Sequence, residues 1–109
     1  MKSVLLQKKS MKNPIENLNK IFDSRVRLGI MSSLMVNAEI NFNDLKELIQ
    51  VTDGNLASHI KALEESGYIK VNKGFVGRKT NTLYSATRAG ERAFREHLSA
   101  LEQMIKSAK

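Results

Sequence analysis

The side chains of this sequence that could do covalent chemistry are few and badly placed for it. Cysteine is absent, which excludes disulfides, thiolate metal sites and thiol nucleophiles. The two histidines, His59 and His97, stand too far apart in the chain to suggest a His-rich metal site. Glu64 and Glu65 are adjacent, so on a helix they point to different faces and make a poor acid/base pair. Gly74-Phe75-Val76-Gly77 matches the GXXG loop of KH domains, but that loop joins two helices and its flanks here read as strands. Gly77-Arg78-Lys79-Thr80 bears only a remote likeness to a phosphate-binding loop, because it opens no helix. No nucleophile, base and orienting group fall together, so no enzyme, metal or cofactor is expected. What remains is recognition. The 109 residues carry 18 Lys+Arg against 11 Asp+Glu, a net charge of +7. An excess of that size points toward polyanions, nucleic acid first and anionic membrane second.

Two stretches concentrate the recognition chemistry. Placed on a helix at about 100° per residue, residues 54–66 gather Leu56, Ile60 and Leu63 into one apolar stripe. Opposite it lie Gly54, Asn55, Ser58, Lys61 and Ala62, small or polar side chains that let a helix approach base edges closely. Asn can pair bidentately with adenine, and Ser can donate or accept at either kind of base pair. His59 falls on the flank, where it reads equally as a core-edge histidine or a DNA contact. The second stretch, Gly67–Thr87, holds Lys70, Lys73, Arg78 and Lys79 and no acid. Clustered near two glycines, these suit contacts to phosphate, although lysine on an edge strand also guards against aggregation.

Elements must position these groups. Residues 1–12 carry four lysines and no acid, and read as a flexible basic arm ahead of one domain over residues 13–109. Asn13, Pro14 and Glu16 look like a helix start, and the spacing of Ile15, Leu18 and Phe22 predicts a short first helix. Ser24 can cap a second helix, Arg25–Val36, apolar around most of its surface and therefore buried, with Met31 and Met35 as core filler. Glu39–Phe42 alternates enough for one short strand. Asn43 can cap a helix over Asp44–Gln50, with Leu45, Leu48 and Ile49 inward. A tight turn at Val51–Gly54 follows, then a helix capped by Thr52 or Asp53 that runs to Ser66 and stops at Gly67. The period then switches to two over residues 68–73 and 81–86, giving a β-hairpin with a long tip at Gly74–Thr80. Thr87 can cap a final helix from Arg88 to about Lys106. The fold class is mainly α with a small β-hairpin, α+β, in the element order of a winged helix-turn-helix. In that arrangement the second helix of the pair enters the major groove and the hairpin reaches neighbouring phosphates or the minor groove.

Three stretches carry a family resemblance. Asn55-Leu-Ala-Ser-His-Ile-Lys-Ala-Leu-Glu-Glu-Ser-Gly-Tyr-Ile69 resembles the recognition helix and following strand of small bacterial winged-helix regulators of the MarR/ArsR type. Lys73-Gly-Phe-Val-Gly-Arg-Lys-Thr-Asn-Thr82 is similar to their wing. Ser85-Ala-Thr-Arg-Ala-Gly-Glu-Arg-Ala-Phe94 is similar to the opening of their last helix, with Ala86 where Leu is usual. The resemblance covers about residues 14–105. It implies a dimeric transcription factor with Thr52, Asn55, Ser58, His59 and Lys61 toward DNA and with Arg78, Lys79 and Thr80 at the wing tip, to which the helix-face and charge reading adds Gly54 and Lys73. The chain departs from the pattern in size, and it lacks the Cys/His clusters of metal sensors.

The last helix is expected to dimerise. Leu98, Leu101 and Ile105 continue a stripe from Phe94 at spacings of 4, 3 and 4, the pattern of two packed helices, with Ile15, Leu18 and Ile21 of the first helix covering the side. The leading expectation is a cytoplasmic homodimer that binds specific double-stranded DNA and regulates transcription. It is expected to repress, because so short a chain leaves no room for a separate activation domain. The alternative is a winged-helix protein-interaction module without specific DNA readout. Architectural or RNA-binding use of the same basic surface is a third class.

Overall fold

The computed structural model describes residues 13–107, so the basic arm expected over residues 1–12 lies outside the described residues. At the centre stands α1 (Arg25–Val36), capped by Ser24, whose Oγ accepts from the Arg27 N–H at 3.3 Å. Apolar on most sides, it buries Ile30, Met31 and Leu34 and is packed against by the other three helices and the sheet. Met31 is fully enclosed and Met35 half-buried, both as core. A two-residue strand, β1 (Ile40–Asn41), leads into α2 (Phe42–Ile49), and a short turn leads into α3 (Asp53–Glu65). The hairpin of β2 (Ile69–Val76) and β3 (Lys79–Ala86) follows, and α4 (Arg88–Ser107) closes the chain. The sheet is antiparallel in the order β1-β3-β2, with Ile40 opposite Tyr84 and Val71 opposite Tyr84 from the other side. Burying Ile69 and Tyr84 against Ile30, Leu45, Leu56 and Leu63 makes one core between the sheet and the helices.

Several local expectations are corrected. The first helix does not form. The Asn13 side chain accepts from the Ile15 N–H at 3.1 Å, and the carbonyls of Asn13 and Ile15 accept from Glu16 and Leu18, also at 3.1 Å. The result is two consecutive turns and then a single 3-10 turn at Lys20–Phe22. Asn19 forbids more, since it is extended (φ −96°, ψ 119°) and committed to distant partners: its N–H donates to His97 Nδ1 at 3.0 Å and its Nδ2 to the Tyr68 hydroxyl at 2.9 Å.

Asn41, not Asn43, caps α2, its Oδ1 accepting from the Asp44 N–H at 2.8 Å, and Phe42 is helical rather than extended. The pairing of Asn41 with Leu83 on β3 sets where the chain turns. With α2 so placed, Leu45 is buried but Leu48 is 61% exposed. The helix also ends one residue early, at Ile49, with Gln50 in the left-handed region at φ 59°. The hairpin tip, finally, is short. β2 runs to Val76 and β3 starts at Lys79, leaving a two-residue turn, Gly77-Arg78. Gly77 sits at φ 65°, which glycine adopts without strain, in the first central position where type II′ turns want it.

The end of the hairpin is tied to the start of α4 by Thr87. Its hydroxyl donates to the Gly67 carbonyl at 2.6 Å and accepts from the Gly90 N–H at 2.9 Å, and its own N–H donates to the Tyr68 carbonyl at 3.0 Å. Gly90 is buried hard against the backbone of Tyr68, just before β2. A Cβ there would stand 2.8 Å from the carbonyl carbon of Tyr68 and 2.9 Å from its Cα, closer still to its oxygen. These are backbone atoms that no rotamer change moves aside. Gly90→Ala should therefore destabilise the fold by about 1–3 kcal/mol, whereas Ala89→Gly, on the exposed side of the same turn, should cost no more than about 1 kcal/mol. Urea unfolding followed by circular dichroism would measure both.

Candidate nucleic-acid interface

The orientation of α3 follows from its own sequence. Thr52 caps it, Oγ1 accepting from the Asn55 N–H at 3.2 Å, and Leu56, Ile60 and Leu63 are buried in the core. Burial of three large aliphatic side chains, each worth roughly 1.5–3 kcal/mol, leaves the helix no freedom to rotate. Gly54, Asn55, Ser58 and Lys61 are consequently exposed together on the opposite side, while Ala62 is half-buried at the edge of that face. Lys46 of α2 pairs with Asp53 at 2.7 Å. Both groups are solvated, so the pair contributes little to stability, but it offsets the one acid in the first turn of α3.

His59 is half-buried on the flank. Its Nδ1 accepts from Arg27 Nε at 3.0 Å, and Arg27 in turn donates to the Ile21 carbonyl at 3.3 Å. Burial, and then the charge of Arg27, hold the imidazole below its ordinary pKa. It is therefore neutral, with its proton on Nε2. This ties α3 to α1, a link that spacing alone does not reveal.

The hairpin carries the second group. Lys73, Arg78, Lys79 and Thr80 are all exposed. Among the described residues, none of Lys61, Lys73, Arg78 and Lys79 has an acid within ion-pair distance, since the pairs that form are Lys46–Asp53, Glu91–Arg95 and Glu102–Lys106. Charges left without a protein partner are available to a polyanion. Two residues absent from the sequence-based set also stand out at the tip: Phe75 is 75% exposed and Val76 67%. Reading Gly74 as the start of a loop hid them. With the strands extended to Val76, both become wing surface.

The residues expected at a dimer seam separate into two sets. Phe94 is enclosed within the one chain, edge-on to Phe22 with ring centres 5.4 Å apart, and Ile21 packs on the core. Ile15, Leu98 and Ile105 are exposed, with Leu18 and Leu101 half-buried beside them. Between residues 13–25, Leu28 and α4 runs a groove of about 790 Å³ lined by Ile15, Leu18, Phe22, Leu101 and His97. His97 is buried at its floor, with the Phe22 ring 5.3 Å away and its Nδ1 held by Asn19. Burial holds its pKa below the ordinary value, against the opposing pull of Asp23. Among the described residues, no group of three His, Asp or Glu could hold a metal ion, and no helix is long and apolar enough to cross a membrane.

The sequence matches the winged helix DNA-binding domain family over residues 26–105, which takes in all of α2, α3 and the hairpin. The chain belongs to that family. It is 36% identical over 88 residues to an uncharacterized protein of Methanocaldococcus jannaschii, covering 81% of this chain and 96% of that one. Its fold is similar to that of a transcriptional regulator homologue from Pyrococcus horikoshii OT3, with a TM-score of 0.79 and 29% identity over 93% of this chain and 98% of the other. It is also similar to a MarR-family protein from Porphyromonas gingivalis W83, with a TM-score of 0.63 and 24% identity over 80% of each chain. The regulator-type fold expected from the three sequence stretches is thus the fold observed.

The winged helix domain keeps both histidines in acceptor roles that only the neutral ring can fill. Because their folded pKa values lie below the ordinary 6.5, the unfolded chain binds more protons as pH falls through that value. Stability contributed by the neutral rings is therefore present above it and lost on acidification, at no more than about 1.4 kcal/mol per pH unit for each ring. Urea midpoints at about pH 7.5 and about pH 5.5 should fall with pH. His97→Gln, which can still accept from the Asn19 N–H, should flatten that dependence; an unchanged slope would remove His97 from the account.

Proposed function

We propose that this winged helix domain is a sequence-specific reader of double-stranded DNA that acts as a homodimeric transcriptional repressor. The observation that carries the reading is the outward face of α3. Gly54, Asn55, Ser58 and Lys61 make it small and polar, and α3 passes through the short link of residues 66–68 into a hairpin whose tip cations have no acid partner among the described residues. A docking module for proteins would present bulky apolar or acidic side chains on that face. In this reading Asn55 and Ser58 meet base edges, Thr52, Lys61, Lys73, Arg78, Lys79 and Thr80 meet the sugar-phosphate backbone, and His59 steadies the helix with Nε2–H as its remaining donor.

The homodimer is supported by the exposed apolar strip of Leu98 and Ile105 with Ile15 beside it, continued by Leu18 and Leu101. Soluble chains seldom leave such a strip to water. A two-fold axis there would present two copies of α3 to half-sites about one DNA turn, ~34 Å, apart.

Selection of bound duplexes from a random pool should return an inverted repeat. On the recovered duplex, eight cationic phosphate contacts, from Lys61, Lys73, Arg78 and Lys79 of each subunit, give a log–log salt slope of order −7, and a slope shallower than about −2 would sink the model. Asn55→Ala should cost roughly 1–3 kcal/mol at one base pair per half-site and leave binding to unrelated sequences unchanged. For the assembly, the exposed pair gives the cleaner test. Sedimentation at tens of micromolar should show a dimer that Leu98→Glu/Ile105→Glu converts to monomers of unchanged circular dichroism.

A further inference from the structure

We propose that Phe75 and Val76 form an apolar wedge at the tip of the wing, pressed into the minor groove of the bound duplex so that the DNA bends. This rests on the DNA-reading function proposed above and extends it to a contact that specifies shape. In the antiparallel register Phe75 lies opposite Thr80 and Val76 opposite Lys79, directly before the Gly77-Arg78 turn. Successive strand residues face opposite ways, so Phe75 continues the face of Ile69 and Val71 beyond the end of the core, and Val76 takes the other face. Both sides of the tip are thus apolar, and both are open to water, Phe75 at 75% and Val76 at 67% exposure.

An apolar tip ringed by Lys73, Arg78 and Lys79 fits one kind of surface: an apolar cleft between two rails of negative charge. The minor groove is such a cleft, with sugars and base edges for walls and phosphates along its rims. Apolar side chains inserted there unstack base steps and bend the helix away. The two-residue turn matters to this, because it makes the tip narrow and stiff where a long loop would yield. Hairpin stability alone is a competing use of the ring, since an aromatic opposite a threonine is a favourable cross-strand pair. Threonine keeps the β-branched shape that strands prefer while removing the wedge, so it separates the two uses.

The experiment takes the full chain and the duplex recovered by selection, end-labelled with a donor and an acceptor dye. Wild type should shorten the end-to-end distance relative to free duplex. Phe75→Thr/Val76→Thr should fold with the same circular dichroism, lose roughly tenfold or more in affinity and leave the duplex near its free length. Its salt slope should match wild type, because no cation has been removed, whereas Lys79→Gln should make the slope shallower. A wild-type complex with straight DNA, or a double variant that binds and bends like wild type, overturns the wedge. So does a double variant that binds DNA normally but loses a self-association seen in wild type, which would assign the pair to a contact between wings. Failure of the wild type to bind any duplex is a different result, since it removes the proposed function itself.

Discussion

Thr87 is the point on which the arrangement turns. Through three hydrogen bonds it joins the carbonyl of Gly67 after α3, that of Tyr68 just before β2, and the first turn of α4, itself following directly on β3. Four elements therefore meet within a few residues, and Gly90 lets α4 sit against the Tyr68 backbone leading into β2 with no side chain between them. The hairpin is clamped at its base and free at its tip. A wing built this way can reach outward for eight residues of strand without loosening the core beneath it.

The same economy governs α3. Nothing on its outer face needs to be held by a specific contact, because the inner face already fixes the rotation of the helix and Thr52 fixes its start. Arg27 adds a tether through His59, so the polar flank of α3 is anchored to the most buried helix of the domain. Small residues on the outer face are thus presented by a rigid element, which recognition of base edges demands. At the opposite end, the Phe22 ring packs with Tyr68, Phe94 and His97, gathering residues 13–23 onto the body of the domain without a helix there.

Much of this is legible in the chain, where local chemistry and tertiary context agree. Ser24, Thr52 and Thr87 each stand immediately before an apolar-periodic run, and each accepts the expected backbone hydrogen bond. Leu56, Ile60 and Leu63 could only be the buried stripe of α3. The misreadings occur where two similar signals competed. Asn41 and Asn43 are equally good caps on paper, and a strand pairing with a distant part of the chain, Leu83 of β3, chose between them. Asn13 and Pro14 announce a helix, but Asn19 is worth more to the fold as a donor to His97 and Tyr68 than as a helical residue. Gly74 signalled a loop, yet it lies paired with Asn81 inside a regular ladder, and Phe75 was overlooked for that reason.

The strand order has a consequence of another kind. With β1 only two residues long on one side, β2 is the long outer strand of the sheet, and its backbone donors and acceptors on the far side have no neighbour in the ladder. Such an edge invites pairing with any extended chain that passes, and with an apolar tip the invitation is stronger. Lys70 and Lys73 stand along it, both exposed. Two edges brought together would oppose like charges at close range, so these lysines disfavour edge-to-edge pairing. In the proposed role Lys73 also faces phosphate, so trading both lysines for neutral residues would at once weaken that contact and leave the edge more open to pairing and fibre formation.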